Sequence, residues 1–297
     1  MPIHAKIIED SISGAGKRIT TFQLLYPRFI HAELMTHRVF SRNASSSRAI
    51  PVKKMIQMVR EEPAMPIHWG KNQPGMQAKE EIQHVGAAQD IWLRAARNAA
   101  NIAEEFEQIG LHKQVANRIL EPFQHISVVL TATEFSNWFE LRVHPDAQPE
   151  IQELATQMQE LMMSSIPRSL EQYDWHLPYI TEADWGLARV YAKRARITRD
   201  EPGKDEIQEL LCKVSAARCC RVSYLKHDGT RSSIEDDLDL CEKLVGAKPL
   251  HASPFEHQAT PDLYIKDMGA GHWRYPELHG NLTGWIQYRK LIEDSFK

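Results

Sequence analysis

Apolar positions along the chain follow two periods, and these divide it into strands and helices. Residues 17–26, Lys-Arg-Ile-Thr-Thr-Phe-Gln-Leu-Leu-Tyr, are rich in β-branched and aromatic side chains and stop at Pro27, which predicts a strand. Ile126-Ser-Val-Val-Leu-Thr-Ala-Thr133 predicts a second. Elsewhere apolar residues recur at helical spacing. Ile30, Leu34 and Arg38 share one side of a helix over 29–38, on which Glu33 and His37 are neighbours at i, i+4. Ile82, Val85, Ile91, Trp92, Ala95, Ala99, Ile102 and Phe106 predict a long helix over 77–108, ended by Gly110. A short helix over 111–120 carries Arg118 and is broken by Pro122, and Ile151, Leu154, Met158 and Leu161 mark another over 147–163. Residues 181–204 are polar, with Arg194, Arg196, Arg199 and the turn Glu201-Pro-Gly203, and read as a connector. A helix over 205–220 follows, then one opened by a capping box at Ser232-Ser-Ile-Glu235 and ending near Gly246. The stretch Pro63 to Gly75, without a period, reads as a loop able to cover a site. Strands and long helices together give an α+β class.

Composition narrows the class of function. The chain has 297 residues, 42% hydrophobic and 25% charged, enough for a sizeable core. A net charge of -3 argues against a general nucleic-acid binder, so any basic site is local and suits a free nucleotide better than a duplex. No apolar stretch approaches a membrane span and the N-terminal residues lack a signal-peptide pattern, so the expectation is a cytoplasmic protein with no membrane partner. Cys212, Cys219, Cys220 and Cys241 form no zinc-type pair; they read as reduced packing residues, and no metal is expected.

One stretch concentrates the chemistry. Thr36-His-Arg-Val-Phe-Ser-Arg-Asn-Ala-Ser-Ser-Ser-Arg48 holds three arginines, a histidine, an asparagine and four serines with no carboxylate, a donor set suited to phosphate. A solvated basic loop has the same composition, and further segments are needed to separate the two readings.

Those segments carry a resemblance. Thr36-His-Arg-x-x-Ser-x-Asn-x-x-Ser-x-Arg48 resembles the signature of the flavin-dependent thymidylate synthases. So do Ala216-Ala-Arg-Cys-Cys-Arg-Val-Ser-Tyr224, His251-Ala-Ser-Pro-Phe-Glu-His257, and Asn137-Trp-Phe-Glu-Leu-Arg142 followed by Ala147-Gln-Pro-Glu-Ile151. In that family the Val-Ser-Tyr and Ser-Pro-Phe-Glu-His segments come first, so the order here looks like a circular permutation. The resemblance implies a mixed sheet with long helices in a single catalytic domain, 1–297. Its half 1–180 carries the His-Arg/Ser-Arg motif, 205–297 carries the segments that are N-terminal in the family, and 181–204 joins them.

The resemblance also implies an activity and its residues. It implies one-carbon transfer from methylenetetrahydrofolate to C5 of a pyrimidine deoxynucleotide, with FAD as cofactor and NADPH as reductant. It implies a homotetramer with sites shared between subunits. Ser46, Ser47, Arg48, Arg118 and Arg142 fall on nucleotide-binding positions, and His37, Arg38, Asn43, Asn137, Ser223, His251, Ser253 and Glu256 on flavin-binding ones. Arg142, Glu33 and Arg48 are the candidate catalytic residues, Arg142 by stabilising charge on a ring carbonyl. Departures stand at Thr36, Glu33, Ala44, Ala49, Thr131-Ala-Thr133 and Asp146. Glu33, in place of the family's common Gln, only accepts hydrogen bonds, and so bears on dUMP against dCMP. Arg289 in the tail is a candidate for the cation missing at Thr36. A dUMP or dCMP hydroxymethylase, or a nucleotide-binding protein without flavin chemistry, fits the same residues.

Overall fold

The computed structural model describes residues 3–195, 203–222, 226, 229–266 and 271–294. Its centre is a five-stranded mixed sheet of order β3-β4-β2-β1-β5, with β1 His4–Ser13, β2 Arg18–Pro27, β3 Ser41–Ala44, β4 His125–Ala132 and β5 Arg168–Leu170. β1 to β4 pair antiparallel and β5 runs parallel to β1 at the far edge. Gly16, at φ 77°, closes the β1–β2 turn in the left-handed region that glycine adopts without strain. Two small two-stranded pairs complete the strands: β6 Ala259–Pro261 with β9 Trp285–Gln287, and β7 Tyr264–Ile265 with β8 His272–Trp273.

Ten helices surround the sheet among the described residues: α1 His31–Leu34, α2 Val52–Glu61, α3 Val85–Gln108, α4 Lys113–Ala116, α5 Ser136–Arg142, α6 Pro149–Ser164, α7 Glu182–Ala195, α8 Lys204–Arg221, α9 Ile234–Val245 and α10 Tyr288–Asp294. Both faces of the sheet are covered. Phe22, Leu24 and Tyr26 of β2 and Ile126, Val128 and Leu130 of β4 pack on one face with Trp138 of α5 and Ile151, Leu154 and Met158 of α6. The alternate residues meet the C-terminal half: Val129 packs with Cys219 and Val222, and Gln23 donates to the Val222 carbonyl at 3.2 Å. That two-sided burial suits the β-branched and aromatic side chains that mark β2 and β4.

Several sequence expectations shift. The 29–38 helix is a 3-10 turn followed by α1, so Ile30 and Leu34 are buried while Arg38 lies exposed past its end. Residues 41–44 are an edge strand within the expected loop. α3 starts at Val85, and its buried face is Ala96, Ala99, Ala100 and Ala103, small enough to seat α2 closely; Ile91 and Ile102 face outward. Pro122 sits inside a 3-10 turn over Asn117–Phe123. The capping box is one residue later, Ser233 with Asp236.

The connector is mostly a helix. Its polar composition concealed α7 because one inward position is Asp184, buried with Ala188 and Ala192 at i, i+4 and i+8 and paired with Arg218 of α8 at 2.9 Å. Arg218 is 1% exposed and also donates to Asp237 of α9, so one guanidinium joins three helices. Arg196, Arg199, Glu201 and Pro202 lie outside the described residues. The cysteines are free: Cys212, Cys219 and Cys241 are buried, Cys220 partly so, and burial pushes their thiols up. Among the described residues no group of three His, Cys, Asp or Glu could hold a metal, and no helix is long and apolar enough to cross a membrane.

Candidate active site

Period-two geometry sorts the motif onto both sheet faces. Arg42 and Ala44 of β3 point to the α1/α5 side, whereas Ser41 and Asn43 point to the C-terminal half. On the first side, the C-terminal end of α5 delivers Arg142 beside the end of α1. Arg142 Nη1 donates to Glu33 Oε2 at 3.0 Å, and Arg142 Nε donates to His37 Nε2 at 3.1 Å. His37 is therefore neutral, with its proton on Nδ1. Burial and the adjacent Arg142 and Arg42 push its titration below the usual imidazole range. Its ring lies edge-to-face on Trp138 at 4.8 Å and stacks on Phe40 at 5.8 Å.

Glu33 and Arg142 open onto a cavity of about 650 Å³ whose walls include Phe29, Trp92, Asp146, Pro149 and Glu150. The loop after α2 closes one side through Pro66, His68, Gly70 and Gln77. It is held by the buried Glu150 carboxylate, which accepts the Ile67 N–H at 2.9 Å, and by a bridge between Gly70 and Glu81. A nucleotide-sized ligand fits such a volume.

The serine end of the motif is partly neutralised from outside it. Ser47 Oγ and Arg118 Nη1 donate to Glu121 Oε1 at 3.0 and 2.7 Å, and Arg28 pairs with the same oxygen at 3.1 Å. Ser47 is buried, while Ser46 and Arg48 are exposed beside it. Glu121 follows Arg118 at i, i+3, a signal legible in the chain. Arg42 is likewise occupied: its Nη1 donates to the carbonyls of Met35 and His37 at 3.0 and 3.1 Å.

The other sheet face receives the C-terminal motif. Ser253 donates to Asn43 Oδ1 at 3.1 Å, and Asn43 Nδ2 donates to the Cys219 and Cys220 carbonyls at 2.8 and 3.2 Å. Glu256 pairs with Arg289, His251 is exposed, and Phe255 is core. Arg289, bound to Glu256 and Glu293, is not free to replace the cation missing at Thr36. The tail reaches the motif instead through Asn281, which donates to the Val39 carbonyl at 2.8 Å and accepts from Ser41 at 3.1 Å. Asn137 is exposed on α5, and Ser223 lies outside the described residues.

Sequence reasoning missed a buried polar chain between the layers. His176 bridges Ser11 and Thr21 at 2.9 and 2.8 Å, Thr21 meets Thr131 at 2.6 Å, and Thr131 meets His257 Nδ1 at 2.9 Å. Burial pushes both histidines down to about 3.

A family model described as thymidylate synthase complementing protein, Thy1, matches residues 18–168, the span from β2 to the start of β5 that contains Glu33, His37 and Arg142. No curated protein matches. Two solved structures of a UMP/dUMP methylase, PolB from Streptomyces cacaoi, bound with 5-Br dUMP and with 5-Br UMP, are each 17% identical to this chain with a TM-score of 0.46. They cover 54% of this chain, and 90% and 88% of their own.

Proposed function

Because the chain belongs to the Thy1 family of thymidylate synthase complementing proteins, we propose that it modifies C5 of a pyrimidine deoxynucleotide, dUMP or dCMP, with methylenetetrahydrofolate as one-carbon donor. The observation that carries this is Arg142, held by Glu33 and His37 at the wall of a nucleotide-sized cavity. With Nε and Nη1 committed, its Nη2 hydrogens remain for a ring carbonyl, where a fixed cation stabilises negative charge as C5 becomes nucleophilic. Glu33 Oε1 adds an acceptor beside it, so the wall offers a donor and an acceptor to a pyrimidine edge. Phe29 and Trp92 supply apolar surface and exclude water from the reacting ring. Ser46 and Arg48, exposed and without the Glu121 contact that occupies Ser47 and Arg118, are the phosphate donors in this reading.

The residues present fit a flavin in their donor chemistry. Trp138 Nε1 is a buried donor with no partner among the described residues, and Asn137, Arg38 and His251 are exposed donors. Asn137 and Arg38 on one sheet face and His251 on the other would hold it from different subunits of the homotetramer, while Asn43 and Ser253 tie the layers together. When bound, FAD reduced by NADPH supplies the electrons that turn the transferred carbon into a methyl group. The domain in this reading is the whole chain with permuted order, supported by the Ser253–Asn43 contact between its halves, and it works as a homotetramer.

The test is mass spectrometry of dUMP and dCMP offered together with FAD, NADPH and methylenetetrahydrofolate. A methyl group on either supports the proposal and identifies the base; a hydroxymethyl group replaces methylation by hydroxymethylation, and no product overturns it. Glu33→Gln should then shift the dCMP-to-dUMP activity ratio, and an unchanged ratio removes Glu33 from base choice.

A further inference from the structure

We propose that His37 is a positioning residue for Arg142, an assignment that rests on the proposed function: its Nε2 accepts the guanidinium Nε–H and, with Glu33, fixes the plane in which Arg142 meets the nucleotide ring. A long arginine side chain held at one nitrogen still swings. Acceptors at Nε and Nη1 together define its orientation before substrate arrives.

The imidazole is itself immobilised. Trp138 lies against it edge-on at 4.8 Å and Phe40 stacks on it at 5.8 Å. Behind it, Arg42 of β3 gathers the Met35 and His37 carbonyls at 3.0 and 3.1 Å, pinning the backbone where α1 ends. The path therefore runs from a strand of the sheet, through the turn after α1, to the His37 ring and on to Arg142.

The arrangement works only with an unprotonated ring. A proton on Nε2 would turn the acceptor into a donor and set an imidazolium against a guanidinium. The charged groups facing His37 are Arg142 from α5 and Arg42 from β3, with Glu33 of α1 reached only through Arg142. Burial and two neighbouring cations keep the ring neutral at physiological pH. Acidification should therefore release Arg142 as the His37 ring takes up a proton.

The experiment compares full-length wild type, His37→Gln and His37→Phe. Gln places a non-titrating carbonyl oxygen near the Nε2 position; Phe keeps the ring and its packing but accepts nothing. The readouts are nucleotide turnover against pH and the Nε–H resonance of Arg142 in arginine-labelled protein, assigned by its disappearance in Arg142→Lys. His37→Phe should lose about 10²-fold in kcat with a smaller change in KM, and its Arg142 Nε–H should exchange rapidly with solvent. His37→Gln should recover at least about tenfold of that loss, keep a protected Nε–H, and move the acid limb of the pH profile to lower pH. A His37→Phe variant with wild-type turnover and a protected resonance overturns the proposal, as does a His37→Gln variant that protects the resonance without recovering rate. A wild type that converts neither nucleotide overturns the proposed function, and the resonance alone then decides whether His37 holds Arg142.

Discussion

Ser253 gives its hydroxyl hydrogen to Asn43 at 3.1 Å across 210 positions of chain. The same Asn43 amide donates to two carbonyls at the C-terminal end of α8, so one side chain joins the edge strand, a helix terminus and the Ser-Pro-Phe-Glu segment. Asn43→Ala should cost about 1–3 kcal/mol by leaving those partners unmet. Asn43→Asp should cost more, because a carboxylate then faces two carbonyls and the negative end of a helix dipole. Thermal unfolding of the two variants reads the order; equal midpoints would show that the amide does not act as this joint.

The buried histidine chain makes stability depend on acidity. His176 and His257 are held neutral, pushed down to about 3, whereas in the unfolded chain they titrate near the ordinary value of about 6.5. The folded pKa is the depressed one, so the stabilisation is present above the unfolded pKa and is lost as pH falls between the two. Each histidine adds up to about 1.4 kcal/mol per pH unit to that slope. Urea unfolding at several values from pH 7 to 5 should show the loss, and His176→Gln should flatten it. A slope unaffected by the substitution would remove His176 from the acid response.

Arg218 holds two buried carboxylates on two other helices. Burial by itself would raise Asp184, but the Arg218 hydrogen bonds and those of Thr181 hold it at about 2. Arg218→Met should therefore cost about 3–5 kcal/mol, since it removes the buried cation shared by Asp184 and Asp237 and leaves them only the outer arginines Arg231 and Arg221. Adding Asp184→Leu and Asp237→Leu to that variant should recover part of the loss. Urea midpoints provide the comparison, and a triple variant less stable than Arg218→Met would show that packing, not charge, governs the site.

The two arginines given to the phosphate should separate. Arg48 is exposed near Ser46, whereas Arg118 is spent on Glu121. Arg48→Ala should raise the nucleotide KM by about tenfold or more with kcat little changed, as loss of uniform binding does. Arg118→Ala should leave KM within about threefold, because a half-exposed ion pair contributes only about 0–1 kcal/mol. Calorimetry with the nucleotide alone checks both, and a larger loss for Arg118→Ala would reverse the assignment.

The chain's local pattern already contained β2 and β4, the long helices, the cysteines' packing role and the motif that marks the Thy1 family. Those features depend on spacing within a few residues, which periodicity and motif record directly. The spacing predicts Glu33 and His37 as helical neighbours at i, i+4, but α1 ends at Leu34 and they are joined through Arg142 instead, which arrives on another helix 105 positions beyond His37. α7 escaped notice because its buried face carries a carboxylate whose partner lies on α8. The apparent surplus of donors over 36–48 was likewise a local impression. Glu121 and the carbonyls around α1 absorb Ser47 and Arg42, leaving Ser46 and Arg48 exposed. Which charges stay available is set by how desolvated groups find partners when the layers pack, and that pairing follows distance in space, not position in the chain.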